Sequence, residues 1–113
     1  MKDGKKAFKL IISKGQFAGT EFELEQGENV IGRWDPESGS IPDINLEKED
    51  VEAKISRKHA VVVVNGNQVT VEDMQSLNGT QVNHNDIQPG MKCLMHEDDE
   101  LIIGKVFMEL TKV

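Results

Sequence analysis

Apolar positions in this chain come in short runs separated by turn residues, and no window repeats with a long helical period. Phe8 to Ser13 reads as a mixed apolar strand. Between Thr20 and Glu25, Phe22 and Leu24 alternate with Glu21, Glu23 and Glu25, the pattern of a strand with one buried and one wet face. Asn29-Val30-Ile31 runs into Gly32-Arg33. Ala60 to Val64 is a β-branched run suited to a central strand buried on both faces. Asn65-Gly66-Asn67 then predicts a tight hairpin, because Asn and Gly tolerate positive φ. In the return strand Val69 and Val71 alternate with Thr70 and Glu72.

Further along, Asn78-Gly79 predicts a turn and Thr80 to Asn83 a short strand, with more turn signals at Asn85-Asp86 and Pro89-Gly90. Lys92 to His96, Glu100 to Ile103 and Val106 to Thr111 read as the closing strands. Many short strands at close spacing predict an all-β protein, a two-sheet β-sandwich. Two segments do not fit. Residues 34–42 carry Asp35-Pro36, Ser38-Gly39-Ser40 and Pro42, and read as a loop. Residues 47–54 are strongly charged, and suit either a loop or one short helical turn. Both flank the motifs described below, and long loops on a rigid scaffold are where binding sites gather. No repeat or linker divides the chain, so a single domain over 1–113 is expected, with its core at about 8–110.

Composition narrows the function. At 113 residues, with 37% hydrophobic and 29% charged, the chain is long enough for one ordinary core. The charged stretch from Met1 to Lys6, followed only by Leu10-Ile11-Ile12, does not match a secretory signal. A single cysteine, Cys93, excludes an intrachain disulfide, so a reducing, cytoplasmic setting is expected. Cys93 reads as a buried small hydrophobe. A net charge of −7 disfavours nucleic acid as partner, and no run is long enough to span a membrane. Within that acidic background Lys54, Arg57, Lys58 and His59 cluster. A local cationic spot on an acidic protein suits a confined anion such as one phosphate, or a solvated polar turn.

Three motifs sit where strands meet loops: Gly32-Arg33, Ser56-Arg57-Lys58-His59, and Ser76-Leu77-Asn78-Gly79-Thr80 with Val82-Asn83 after it. Alternate strands of a sandwich place their loops at the same end, so the three could converge. Their chemistry fits a phosphate monoester. Arg33 and Arg57 offer planar charged forks, and Ser56 offers a hydroxyl. The turn backbone can add N–H groups, and Asn78 can both donate to and accept from a peptide main chain.

Taken in order, these motifs, with Asp43-Ile44 ahead of the serine and the Leu94 to Gly104 ending, resemble the forkhead-associated (FHA) domain over about Phe8 to Leu110. The resemblance implies an eleven-stranded sandwich that binds phosphothreonine peptides through loops at one end. It implies that Arg33 contacts the phosphothreonine, that Ser56 bonds the phosphate, that Arg57 adds charge or backbone donors, and that Asn78 holds the ligand main chain. Gly32, His59 and Gly79 are then structural. Trp34, Lys58, Leu77 and Thr80 are candidates for flanking contacts. Leu77 departs from the pattern, standing where some members carry a residue that assists the phosphate. Trp34 suits either the ligand or the edge of the core.

The resulting expectation is a monomeric phosphothreonine-dependent adaptor. It is not an enzyme, it needs no cofactor or metal, and its partner is a phosphorylated protein or peptide. The alternative is a scaffold that binds its partner without phosphate. A hydrolase built on Ser56 and His59 is a remote third reading, since it needs the histidine within reach of the hydroxyl and an orienting carboxylate. His84 and His96 are read as ordinary surface residues.

Overall fold

The computed structural model describes residues 7–113, so the Met1 to Lys6 stretch lies outside it. Eleven strands form: β1 (Phe8–Ile12), β2 (Glu21–Leu24), β3 (Gly27–Gly32), β4 (Ile44–Asn45), β5 (Lys58–Asn65), β6 (Gln68–Asp73), β7 (Thr80–Val82), β8 (Asn85–Asp86), β9 (Cys93–Met95), β10 (Glu100–Ile103) and β11 (Val106–Lys112). They make two sheets, ordered β2-β1-β11-β10-β7-β8 and β4-β3-β5-β6-β9. All pairings are antiparallel except β3 with β4.

Alternation decides which side chains enter the core. Phe8, Leu10 and Ile12 of β1 are buried while Lys9 and Ile11 between them are only half covered. They meet Leu101 and Ile103 of β10, and Met108 and Leu110 of β11, in one cluster with Ala60, Val62 and Val64 from the opposite sheet. The valine run is buried on its inner side, and outward Val61 is also 8% exposed, flanked across the sheet by Val30 and Glu72. Outward Val63 stays half-buried. Cys93 is half-buried and packs against the core.

One local expectation changes and one open choice is decided. Asn85-Asp86 is a strand, β8, and the hairpin turn falls at Asn83-His84, whose φ values are 51° and 67°. The register of β10 draws the turn back by two residues. Asn83 donates its backbone N–H to Glu100 O at 2.9 Å, and its Oδ1 accepts the Glu100 N–H at 2.9 Å. The 47–54 segment forms hydrogen-bonded turns without helix, and buried Leu46 and Ile55 anchor its two ends.

Candidate functional site: an open cleft at the loop end

The site begins at Gly32. The register of β3 against β5 shifts between Ile31 and Gly32. A Cβ on Gly32 would fall on the Arg57 carbonyl oxygen. Only glycine permits this approach, and it lets the Arg33 N–H reach Arg57 O at 3.0 Å. The two arginine-bearing segments are thereby locked together by backbone.

Arg33 is then aimed by its own side chain. Its Nε donates to Ile55 O at 2.6 Å and lies 3.9 Å from Asp50 Oδ2. The terminal Nη groups have no hydrogen-bond partner among the described residues, and the side chain stays 34% exposed. Asp50 also accepts the Lys54 N–H at 2.8 Å and the Ile55 N–H at 3.0 Å, which shapes the loop carrying Arg33's acceptor. Nothing in the charged run 47–54 singles Asp50 out in the sequence.

Ser56 and Asn78 are each half committed. The Ser56 Oγ accepts the Leu77 N–H at 3.0 Å, so its own O–H stays available to donate. Asn78 Nδ2 donates one N–H to Lys54 O at 2.9 Å. That leaves a second N–H and the carbonyl oxygen for a ligand main chain.

Behind them His59, fully buried, joins the two loops. Nδ1 accepts the Ser56 N–H at 3.0 Å and Nε2 pairs with Gly79 O at 2.8 Å. The neutral tautomer with its proton on Nε2 satisfies both. Burial pushes the His59 pKa below its usual value, against the hydrogen bond to Gly79 and the charges of Asp73 and Asp50. Since His59 bonds the Ser56 backbone and not its hydroxyl, the relay that a hydrolase needs is not formed.

The 76–80 loop rests on Asp73, a residue the sequence did not single out. Its Oδ1 accepts from Ser76 Oγ at 2.5 Å and Thr80 Oγ1 at 2.7 Å, and its Oδ2 accepts the Ser76 N–H at 3.1 Å. Burial works to raise the Asp73 pKa, but the hydrogen bonds from Ser76 and Thr80 outweigh it, and the carboxyl lies below its usual range. Thr80, expected among the flanking contacts, is 1% exposed with its hydroxyl bonded to Asp73, so its part here is structural. Gly79 takes φ of 83° and donates its N–H to Ser76 Oγ at 3.0 Å.

These elements frame an open cleft of about 350 Å³ whose walls include Arg33, Lys54, Ser56, Arg57, Leu77 and Asn78. Leu77 is 89% exposed at the rim. Arg57 leans toward the 34–42 loop, where its Nη1 meets Asp35 at 3.3 Å and Glu37 at 3.9 Å. Lys58 lies outside the cleft, in a smaller pocket with Val30 and Ile41. Trp34 is 41% exposed and donates its backbone N–H to Asn45 Oδ1 at 3.2 Å. His84 and His96 are exposed and face Glu100 and Asp99.

Two stacked sheets with a loop-built cleft at one end, lined by Arg33, Lys54 and Arg57, define a β-sandwich whose loop end suits an anion. The sequence model of the FHA domain matches residues 29–104, and the chain belongs to this family. The oxoglutarate dehydrogenase inhibitor of Corynebacterium jeikeium is 36% identical over 96 residues, covering 85% of this chain and 58% of that protein. The glycogen accumulation regulator GarA of Mycobacterium tuberculosis is 34% identical over 96 residues, covering 85% of this chain and 52% of that protein. The chain thus spans little more than half the length of these curated relatives. The FHA domain of the CT664 protein from Chlamydia trachomatis superposes with a TM-score of 0.73 at 26% identity, over 95% of this chain and 98% of that one. An FHA domain solved in a study of phosphothreonine-dependent interactions gives a TM-score of 0.74 at 23% identity, over 93% and 95%.

Proposed function

We propose that this domain binds phosphothreonine segments of a partner protein in the cleft between Arg33, Ser56 and Asn78. The observation that carries this reading is the set of uncommitted donors on one face: the Arg33 Nη groups, the Ser56 hydroxyl and the second Asn78 N–H. Arg33 and Ser56 hold the phosphate and Asn78 holds the main chain beside it. Arg57 contributes charge from the side on which Asp35 holds it. Charge-assisted bonds of this type are the strong ones, so the phosphate supplies much of the affinity.

The domain acts by binding and not by catalysis, a reading that the names of its relatives, an inhibitor and a regulator, support. It works as a cytoplasmic monomer, without nucleic acid, membrane or cofactor. Titration of a phosphothreonine peptide against its unphosphorylated twin tests the proposal. Arg33→Ala should weaken binding by about 100-fold or more, the loss of charge-assisted bonds worth about 1.5–3 kcal/mol each. Equal binding of the two peptides would end it. Exposed Leu77 on the rim favours the alternative, a phosphate-independent scaffold. Binding unchanged in Arg33→Ala and Ser56→Ala would decide for that reading.

A further inference from the structure

The 47–54 segment that lends Lys54 to the cleft lends Glu49 to a second pocket of about 100 Å³. Phe17 and Val51 contribute its apolar walls, and Lys14 and Lys105 line it as well. The Glu49 side chain is only 4% exposed, and its Oε1 is buried with no hydrogen-bond partner among the described residues. The neighbouring lysines do not complete it. Lys48 reaches only 4.0 Å from Oε2. Lys14 sits 3.9 Å from Glu100 and stacks 4.5 Å over the Phe107 ring. A buried carboxylate oxygen without a donor is rare and calls for a partner.

We propose that this pocket receives one basic side chain, guanidinium or ammonium, from the phosphorylated partner. A turn of the Glu49 side chain would bring Oε1, buried as it stands, to such a group, which would then supply the donors it lacks. Its aliphatic stem would lie along Val51, 75% exposed, and the Phe17 ring, which already draws the Lys48 ammonium to 5.8 Å. A net charge of −7 favours a partner that carries basic residues. The pocket is tied to the cleft by covalent neighbours. Asp50, next to Glu49, holds Arg33 and caps Lys54 and Ile55. Gly104, next to Lys105, packs so closely on Ile55 and Lys54 that a Cβ there would lie 2.9 Å from Ile55. Naming the phosphorylated partner as the donor rests on the proposed function; the chemistry of the pocket does not.

Two arms test this. In the first, N-acetyl-arginine methylamide is titrated into the isotope-labelled chain, with the citrulline analogue as neutral control. The expected result is saturable amide shifts at Phe17, Val51 and Lys105 with arginine alone, kept in Arg33→Ala and lost in Glu49→Gln. No saturable shift, equal shifts with citrulline, or shifts unchanged in Glu49→Gln would overturn the pocket. In the second, arginine is scanned through the flanks of a phosphothreonine peptide. At one position it should tighten binding about tenfold over alanine, and Glu49→Gln should remove that gain while leaving the alanine peptide unchanged. Arginine shifts without any such position would overturn the assignment to this partner. Failure of every phosphopeptide to bind would instead overturn the reading of the cleft, and the partner assignment with it.

Discussion

Replacing His59 by alanine tests whether the binding end is held by one buried ring. The ring accepts the Ser56 N–H at 3.0 Å and pairs with Gly79 O at 2.8 Å, with no exposure to solvent. Alanine strands both backbone groups at about 1–3 kcal/mol each and leaves a void, for a total of about 3–6 kcal/mol. That is a large share of the roughly 5–15 kcal/mol typical of a domain. Urea unfolding at pH 7 measures it, as a lower midpoint at unchanged slope. The same experiment at pH 5 checks the protonation state. Burial lowers the folded pKa of His59 from the usual 6.5, so between that folded value and 6.5 the unfolded chain binds more protons. The wild type therefore loses stability as pH falls below 6.5, a loss that ends below the folded pKa and that the variant does not share. His84 and His96 are present in both proteins and cancel in the difference. The gap between the two proteins should shrink from pH 7 to pH 5. A gap under about 1 kcal/mol at pH 7, or one that fails to shrink, would refute the bracing role.

Gly32→Ala should push β3 from β5 at the Arg57 carbonyl, costing about 1–3 kcal/mol. Faster amide exchange at Arg33 and lost phosphopeptide binding at a temperature where the variant is folded would show it. Thr80→Val removes a hydroxyl bonded to a carboxylate, so it should cost about 1.5–3 kcal/mol by urea unfolding at pH 7. Because the Asp73 pKa is lowered in the fold, that cost should fade as pH drops through the folded value and the carboxylate protonates. Leu77→Lys places a cation on the rim of the cleft and should tighten phosphopeptide binding by up to about fivefold at low salt. High salt should erase the gain, which calorimetry at two ionic strengths would check.

The alternation of Phe22 and Leu24 with glutamates, the valine run and the Asn65-Gly66 turn were legible because side-chain period and turn chemistry are local properties. So were Gly32, Ser56, His59 and Asn78, each carried by a motif at a strand end. The hairpin at Asn83-His84 was not, because Glu100 of a distant strand binds Asn83 on both sides and sets the register there. Nor was the two-residue β4, which exists only by pairing in parallel with β3. In the sequence Asp50 is one acid of a charged run and Asp73 does not stand out; only the folded chain shows that each anchors a loop of the cleft. Arg57 reads as a phosphate fork in the sequence, yet the fold brings Asp35 to 3.3 Å from it. The amino-acid order by itself determined the sandwich and the motifs at its loop end. Tertiary structure decided which donors stay free, because a group's partner is chosen by contacts across the chain, such as Arg33 to Ile55, that no local pattern encodes.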